Sequence, residues 1–125
     1  MRVGIFGAGS IGAYLGAMLA RSGADVVLLG RPALADAAAL HGLRVSDNDG
    51  CDVCQRDVVV GVSHEVLRDR QLIFVTTKSA DTDEAGATLA RLFGNGEGRS
   101  IVSFQNGVGN AVVLRRHLPC ARVFA

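Results

Sequence analysis

Short apolar runs alternate with stretches of helical periodicity along the whole chain. Consecutive apolar residues occur at Val26–Leu29 and Leu72–Val75. A strand with this pattern is buried on both faces, as in a parallel sheet that helices cover, whereas an antiparallel sheet with one solvated face alternates apolar and polar positions. The pattern therefore predicts an α/β protein with a doubly wound, mainly parallel sheet and helices on both faces.

The predicted strands and helices follow one another without an internal linker. Strands are predicted at Arg2–Phe6, Asp25–Leu29, Leu43–Ser46, Asp57–Val62, Leu72–Thr77, Ile101–Gln105 and Arg122–Phe124, with a polar turn at Asp47–Asp52. Helices are predicted at Ser10–Ser22, Pro32–His41, Asp81–Phe93 and Asn110–His117. A chain of this length is expected to form one domain, which spans residues 1–125.

The composition narrows the range of functions. The net charge is +1, which gives no reason to expect a nucleic acid or a membrane surface as partner. No apolar run reaches the roughly 18 residues that a membrane span needs. Glycines interrupt the apolar first twenty residues, which argues against a signal peptide. We therefore expect a cytoplasmic protein.

The three cysteines suit a reducing compartment. Cys51 and Cys54 form a C-x-x-C motif, and Cys120 follows a proline far along the chain. The motif lacks the second ligand pair of a zinc site and does not open a helix, as a redox pair would. No metal is expected.

A glycine-rich turn joins the first predicted strand to the first predicted helix. Its residues are Gly7, Ala8, Gly9, Ser10, Ile11 and Gly12. In this context G-x-G-x-x-G is the dinucleotide-binding fingerprint of a Rossmann-like fold. The first glycine permits the tight turn, the second lets a pyrophosphate approach the backbone, and the third lets the helix pack closely on the sheet. The alternative is a tightly packed turn that binds nothing.

The helix after this turn is amphipathic. Its apolar face is predicted to consist of Ile11, Leu15, Met18 and Leu19, and Gly16 is expected to continue the close contact that Gly12 begins. The unpaired N–H groups and the positive dipole end at the helix start favour phosphate.

The end of the second predicted strand distinguishes between the two nicotinamide dinucleotides. An NAD site usually has Asp or Glu there, to accept a hydrogen bond from the ribose 2′-OH. This chain has Gly30 and Arg31 instead, and Asp25 lies at the opposite end of the strand. A guanidinium can hold a 2′-phosphate through a bidentate pair, so NADPH is the expected cofactor. The alternative for Arg31 is a solvated surface arginine.

Two more polar residues follow predicted strands at the edge where open α/β sheets bind ligands. Lys78, the only lysine, follows Leu72–Thr77, and Asn106 follows Ile101–Gln105. A cation near phosphates or a substrate carboxylate and an amide near nicotinamide would both make chemical sense. A surface charge and an ordinary Asn-Gly turn are the alternatives.

The remaining ionisable residues suggest no chemistry. The three histidines lack an acidic or nucleophilic neighbour at an informative spacing, and they are expected to be surface or satisfied core residues; they are His41, His64 and His117. A solvated acidic first helical turn is expected from Asp81, Asp83 and Glu84.

Four segments together resemble the N-terminal domain of ketopantoate reductases, also called 2-dehydropantoate 2-reductases. They are RVGIFGAGSIG (2–12), LGR (29–31), VTTKS (75–79) and SFQNGVGN (103–110), and the resemblance covers nearly all 125 residues. It implies NADPH-dependent reduction of the 2-keto group of ketopantoate to pantoate, towards pantothenate and coenzyme A. It also implies that the glycine turn holds the pyrophosphate and Arg31 the 2′-phosphate. Lys78 and Asn106 would line the cofactor and the active site, as candidate catalytic residues.

Enzymes of that family also carry a helical C-terminal domain, which supplies a lysine general acid and most substrate contacts. That domain is absent from these 125 residues. The resemblance therefore implies a cofactor domain with little reductase activity of its own and an exposed apolar docking surface. Two alternatives for the function stay open: a reductase of another 2-keto acid and a stand-alone NADPH-binding regulatory module. For the assembly, a homodimer is the expectation.

Overall fold

A computed structural model describes residues 1–125 of the chain. The eight strands are β1 (Arg2–Phe6), β2 (Asp25–Leu29), β3 (Leu43–Ser46), β4 (Asp52–Gln55), β5 (Val59–Gly61), β6 (Leu72–Val75), β7 (Ser100–Ser103) and β8 (Arg122–Phe124). The four α-helices are α1 (Ser10–Arg21), α2 (Pro32–His41), α3 (Thr82–Phe93) and α4 (Asn110–His117). Short 3₁₀ helices occur at His64–Leu67 and Ser79–Asp81.

Six strands form one parallel sheet in the order β5-β2-β1-β6-β7-β8. From β1 the chain first builds outward through β2, and it later crosses to the other side of β1 through β6. The direction of building therefore reverses at β1, and this reversal is the topological switch point of the sheet. Open α/β sheets bind ligands beside such a point, at the carboxyl ends of their strands. The predicted doubly wound, Rossmann-like sheet is confirmed.

Helices cover both faces of this sheet. On one face the core includes Val3, Ile5, Val26 and Leu28, with Ala17 of α1 buried among them. On the other face, buried residues of α3 and α4 pack on Phe6, Val27, Ile73, Val75, Ile101 and Val123. The consecutive apolar residues of β2 thus belong alternately to the two cores, as the pattern predicts.

Helix α1 makes its closest contacts through small residues, while Leu15 and Leu19 of its predicted apolar face pack, half-buried, against the same core. Gly12, Gly16 and Ala17 are its buried residues, whereas Ile11 is 55% exposed. A Cβ at Gly16 would lie 2.9 Å from Cδ1 of Leu28, so the glycine is what lets the helix approach the sheet. The prediction for Gly16 is confirmed, and the prediction that Ile11 belongs to the buried face is wrong.

The segment between α2 and β5 contains a strand that the sequence pattern did not reveal. β3 and β4 form a separate antiparallel hairpin, with Val45 opposite Val53. β4 has one buried apolar residue, Val53, among polar neighbours, which is a weak strand pattern. The turn before it is held by Asp47, whose carboxylate accepts hydrogen bonds from the backbone N–H of Asp49 and Cys51 and from the hydroxyl of Tyr14.

Three strands are shorter than predicted. β5 spans Val59–Gly61 rather than Asp57–Val62, β6 ends at Val75, and β7 ends at Ser103. Beyond Val75 and Ser103, side chains also form hydrogen bonds between the loops, as at Thr76 and Gln105.

One half of a sheet face has no helix over it. α1 and α2 pack against β1, β2, β5 and the hairpin rather than against β7 and β8. Val123 of β8 faces the α3–α4 core, so its neighbour Phe124 points to the opposite face, where it is 52% exposed. Phe104 lies edge-on to Phe74 and is 47% exposed. These residues form an exposed apolar surface, the β6–β8 face.

None of the helices is long and apolar enough to cross a lipid bilayer. No three side chains of the metal-binding types His, Cys, Asp and Glu are gathered into a potential metal site. Asp83 Oδ1 lies within hydrogen-bond distance of His117 Nε2 (2.8 Å) across α3 and α4, an acidic neighbour that the sequence spacing did not suggest.

Candidate functional site

A groove runs along the carboxyl edge of the parallel sheet. It consists of two adjoining hollows of about 800 and about 510 Å³. The larger hollow contains the glycine turn and Arg31, and the smaller contains Gln105 and Asn106. Lys78 lines both hollows, together with Thr76 and Thr77. The polar residues that the sequence singled out are therefore brought together along one groove.

Two of the three motif glycines are required by the fold itself. Gly7 has φ +105°, and a Cβ there would lie 2.8 Å from Thr77 Cγ2 and 3.1 Å from Thr77 N. A Cβ at Gly12 would overlap the carbonyl oxygen of Gly7 and lie 2.6 Å from Thr76 Oγ1. Both positions thus need glycine for the turn and for the close packing of α1, as predicted.

Gly9 is different, because nothing in the chain approaches it. A Cβ at Gly9 would meet no atom within 4 Å, and the residue has an ordinary φ of −77°. The fold therefore tolerates a side chain at this position. The open space at Gly9 lies on the groove, where it would accommodate a ligand lying against the backbone.

The start of α1 offers a set of unpaired donors to this space. Gly9 is the N-cap residue of the helix and has no side chain with which to cap it. The first backbone hydrogen bond of the helix runs from Ala13 N to Gly9 O (2.8 Å). The backbone N–H groups of Ser10, Ile11 and Gly12 make no hydrogen bond within the chain. Together with the positive end of the helix dipole, these groups suit a phosphate.

Thr76 fixes the glycine turn to the neighbouring strand. Its hydroxyl donates a hydrogen bond to the carbonyl oxygen of Gly7 (2.6 Å), and its backbone N–H donates to Phe6 O (3.0 Å). The sequence pattern alone predicts an ordinary strand residue at this position. Only the pairing of β1 with β6 shows that the two segments touch.

Arg31 lies at the carboxyl end of β2, as predicted, and is the N-cap residue of α2. Its side chain is exposed and makes no ion pair or hydrogen bond within the chain. Asp25 lies at the other end of β2, opposite Arg2, and forms an ion pair with Arg70 (2.8 Å). No carboxylate from β2 therefore reaches the groove beside Arg31.

Lys78 and Asn106 each lie three residues beyond the end of a strand, β6 and β7 respectively. The Lys78 ammonium has no ion pair, and the side-chain amide of Asn106 has no hydrogen-bond partner in the chain. Asn106 uses its backbone carbonyl instead, which accepts from Asn110 Nδ2 (2.9 Å) and from the Ser79 hydroxyl. Both side chains are thus free to contact a ligand.

Asp81 also lines the larger hollow, which sequence reasoning missed. This exposed carboxylate precedes α3 and caps it without a side-chain hydrogen bond. It was expected in a solvated helical turn, and nothing in the local sequence distinguishes it from Asp83. Its place on the groove follows from the 3₁₀ turn Ser79–Asp81, which brings it back towards Lys78.

Comparison with known proteins identifies the family. The family model described as "Ketopantoate reductase PanE/ApbA" matches residues 3–125. The chain belongs to the ketopantoate reductase family. This family consists of Rossmann-type, NAD(P)-dependent oxidoreductases. The resemblance inferred from the four motifs is confirmed.

Individual ketopantoate reductases agree with this assignment. The chain is 36% identical over 124 residues to a 2-dehydropantoate 2-reductase of Halobacterium salinarum, covering 98% of this chain and 40% of that protein. The crystal structure of a PanE/ApbA family ketopantoate reductase from Ralstonia eutropha JMP134 superposes with a TM-score of 0.88 at 33% identity, covering 98% of this chain and 40% of the other.

A third match lies outside the ketopantoate reductases by name. It is a D-mandelate dehydrogenase, solved with NADH and anilino(oxo)acetate, with a TM-score of 0.80 at 25% identity over 98% of this chain and 40% of the other. The 125 residues thus span about 40% of the length of these proteins.

Proposed function

We propose that this chain is the NADPH-binding domain of a cytoplasmic 2-dehydropantoate 2-reductase. The whole enzyme would reduce the 2-keto group of ketopantoate to give pantoate, on the route to pantothenate and coenzyme A. The observation that carries the choice of cofactor is Arg31. It is an unpaired guanidinium at the carboxyl end of β2, where a carboxylate would select NADH.

The residues of the groove fit a dinucleotide of this kind from one end to the other. Arg31 can grip a 2′-phosphate with two parallel hydrogen bonds. The free N–H groups at the start of α1, beside the open position at Gly9, suit the pyrophosphate. The remaining half of the molecule then extends along the ends of β6 and β7, past Lys78 to Asn106.

Bound NADPH supplies the hydride that reduces the keto carbon. The chain's own residues have binding and orienting roles in this proposal. Lys78 neutralises charge at the junction of the two hollows, where phosphate and substrate carboxylate both require a cation. The free amide of Asn106 orients the nicotinamide and the substrate. The proton for the developing alkoxide comes from a general acid outside these residues, as the family resemblance implies.

The test compares the two dinucleotides and one pair of arginine variants. Titration followed by NADPH fluorescence is expected to show tighter binding of NADPH than of NADH. Arg31→Ala should weaken NADPH binding by about tenfold or more, the value of a charge-assisted bidentate pair, and leave NADH binding nearly unchanged. Arg21→Ala is the matched control, because Arg21 is an exposed arginine in the last turn of α1 and has no ion pair.

Equal loss of NADPH and NADH affinity in Arg31→Ala would contradict the role of Arg31. The substrate is tested separately with the whole enzyme, by NADPH oxidation against a panel of 2-keto acids. Ketopantoate is expected to give the highest kcat/KM. A higher value with an aromatic 2-keto acid would instead favour a reductase of the D-mandelate dehydrogenase type.

A further inference from the structure

A chain of side-chain hydrogen bonds links the loop after β6 to the loop after β7. Three of its members, Ser79, Ser103 and Gln105, line the smaller hollow, and none of its side chains is among those proposed to hold the cofactor or the substrate. Its members are Ser79, Thr82, Ser103, Gln105 and Asn110.

Gln105 makes the central contacts of this chain. Its Oε1 accepts a hydrogen bond from Ser103 Oγ (3.0 Å). Its Nε2 donates to the Thr77 carbonyl oxygen (3.0 Å) and to Thr82 Oγ1 (2.9 Å). One amide therefore ties the end of β7 to the residue before Lys78 and to the first turn of α3.

Asn110 extends the chain to the Asn106 loop. It is only 7% exposed, and its Oδ1 lies 3.0 Å from Thr82 Oγ1. Its Nδ2 donates to the Asn106 carbonyl oxygen (2.9 Å) and to Ser79 Oγ (3.1 Å). Ser79 in turn donates to that same carbonyl of Asn106.

The contacts have a simple consequence for the groove. Backbone carbonyls that leave a sheet ladder need new partners, and Gln105 and Asn110 supply them for Thr77 and Asn106. The backbone on both sides of the smaller hollow is thereby fixed. The side chains of Lys78 and Asn106 remain without partners and line that hollow.

We propose that Gln105 is a positioning residue: its side-chain amide sets the spacing between the Lys78 loop and the Asn106 loop, and so orients the nicotinamide half of bound NADPH. This inference rests on the proposed function. The adenosine half is held by Arg31 and the glycine turn in the larger hollow, which Gln105 does not line. A change at Gln105 should therefore affect one half of the cofactor and spare the other.

The experiment uses Gln105→Met, which keeps the length of the side chain and removes its hydrogen bonds without adding charge. Binding of NADPH and of 2′,5′-ADP, the adenosine half alone, is measured by calorimetry on the 125-residue chain. NADPH affinity is expected to fall by about tenfold, and that of 2′,5′-ADP to change by less than about twofold. Gln71→Met is the matched control, since Gln71 is exposed and precedes β6 at the opposite edge of the sheet.

A second variant, Gln105→Glu, gives a pH-dependent signature that general loosening of the fold would not give. A carboxylate has no proton to donate to the Thr77 carbonyl oxygen, whereas a protonated carboxyl group has one. Affinity for NADP⁺, relative to the unaltered chain at the same pH, should therefore be low at pH 8 and recover as the pH falls towards about 4, the ordinary pKa range of a glutamic acid side chain.

The outcomes distinguish the two proposals. Equal losses of NADPH and 2′,5′-ADP, unchanged NADPH binding in Gln105→Met, or a flat pH profile in Gln105→Glu would each overturn the positioning role while leaving the cofactor assignment intact. Failure of the unaltered chain to bind either ligand would overturn the proposed function and the positioning role together.

Discussion

The carbonyl oxygen of Gly7 occupies the space that a side chain at Gly12 would need. This contact joins the turn after β1 to the first turn of α1, and the hydroxyl of Thr76 bonds to the same oxygen (2.6 Å). Gly9, which lies between them in sequence, has no such neighbour. The three glycines of one motif therefore have different physical reasons to be glycine.

This difference predicts opposite results for two alanine substitutions. Gly9→Ala should leave the melting temperature nearly unchanged, because its Cβ meets nothing within 4 Å and its φ is ordinary. The same change should weaken NADPH binding by about tenfold or more, because a methyl group would displace the pyrophosphate from the free N–H groups. Circular dichroism and fluorescence titration measure the two effects.

Gly12→Ala is the companion variant, and it should lower the stability of the folded chain, which Gly9→Ala should leave nearly unchanged. Its Cβ overlaps backbone, so we expect a loss of stability of about 1–3 kcal/mol from overpacking before any ligand is added. A Gly9→Ala chain that melts as early as Gly12→Ala would show that the open space at Gly9 is needed by the fold rather than by a ligand.

The sequence predicted the parts of the site that depend on local pattern. The glycine turn, Arg31 at the end of β2, and Lys78 and Asn106 beyond β6 and β7 follow from strand–helix alternation, because parallel strands place their carboxyl ends at one edge. Asp25 was correctly placed at the opposite edge by the same reasoning.

The remaining parts depend on contacts between segments distant in sequence. Thr76 reaches Gly7 across 69 positions, and Gln105 reaches Thr82 across 23. The hydrophobic pattern of the sequence does not indicate that either side chain forms such a hydrogen bond. The strand β4 was missed for a related reason, since a short polar strand is stabilised by its partner β3 and by Asp47 rather than by its own propensity.

Lys78 should make a measurable electrostatic contribution to cofactor binding. It is unpaired and lines both hollows of the groove. Lys78→Gln is expected to weaken NADPH binding by roughly fivefold to tenfold at low salt and to reduce its salt dependence, because screening acts on the lost charge. Titrations at salt concentrations from about 20 to about 500 mM measure how steeply the NADPH affinity depends on salt.

Lys78→Arg keeps the charge and should retain most of the salt dependence. Arg122→Gln, on the exposed side of β8, removes one positive charge away from the groove and should leave the slope unchanged. If Arg122→Gln lowered NADPH affinity as much as Lys78→Gln, net charge rather than a local contact would explain the effect.

The β6–β8 face should bind apolar dyes. Phe124 and Phe104 are about half exposed there, beside a half of the sheet that α1 and α2 do not cover. We expect the chain to raise the fluorescence of an anilinonaphthalene dye and to associate at high concentration. Phe124→Ser should reduce both effects.

Leu40→Ser serves as the control for this prediction. Leu40 is 73% exposed on α2, where it stands away from the β6–β8 face, and isolated exposed apolar residues are common. Equal loss of dye fluorescence in the two variants would show that the dye does not recognise the β6–β8 face.

Asp47 should make the stability of the β3–β4 hairpin depend on acid pH. The pKa of its carboxyl group is lowered, first by the hydrogen bond from the Cys51 backbone N–H and then by those from the Tyr14 hydroxyl and the Asp49 N–H. Because the folded pKa lies below the unfolded value, the contribution is fully present above about pH 4 and is lost as pH falls through the folded pKa. Denaturant unfolding between about pH 3 and pH 6 should therefore show a shallower loss of stability in Asp47→Asn than in the unaltered chain.

Asp49→Asn removes a neighbouring exposed carboxylate whose side chain has no partner, and it should retain the full acid dependence. An unchanged pH profile in Asp47→Asn would mean that the hydrogen bonds to Asp47 do not stabilise the folded chain.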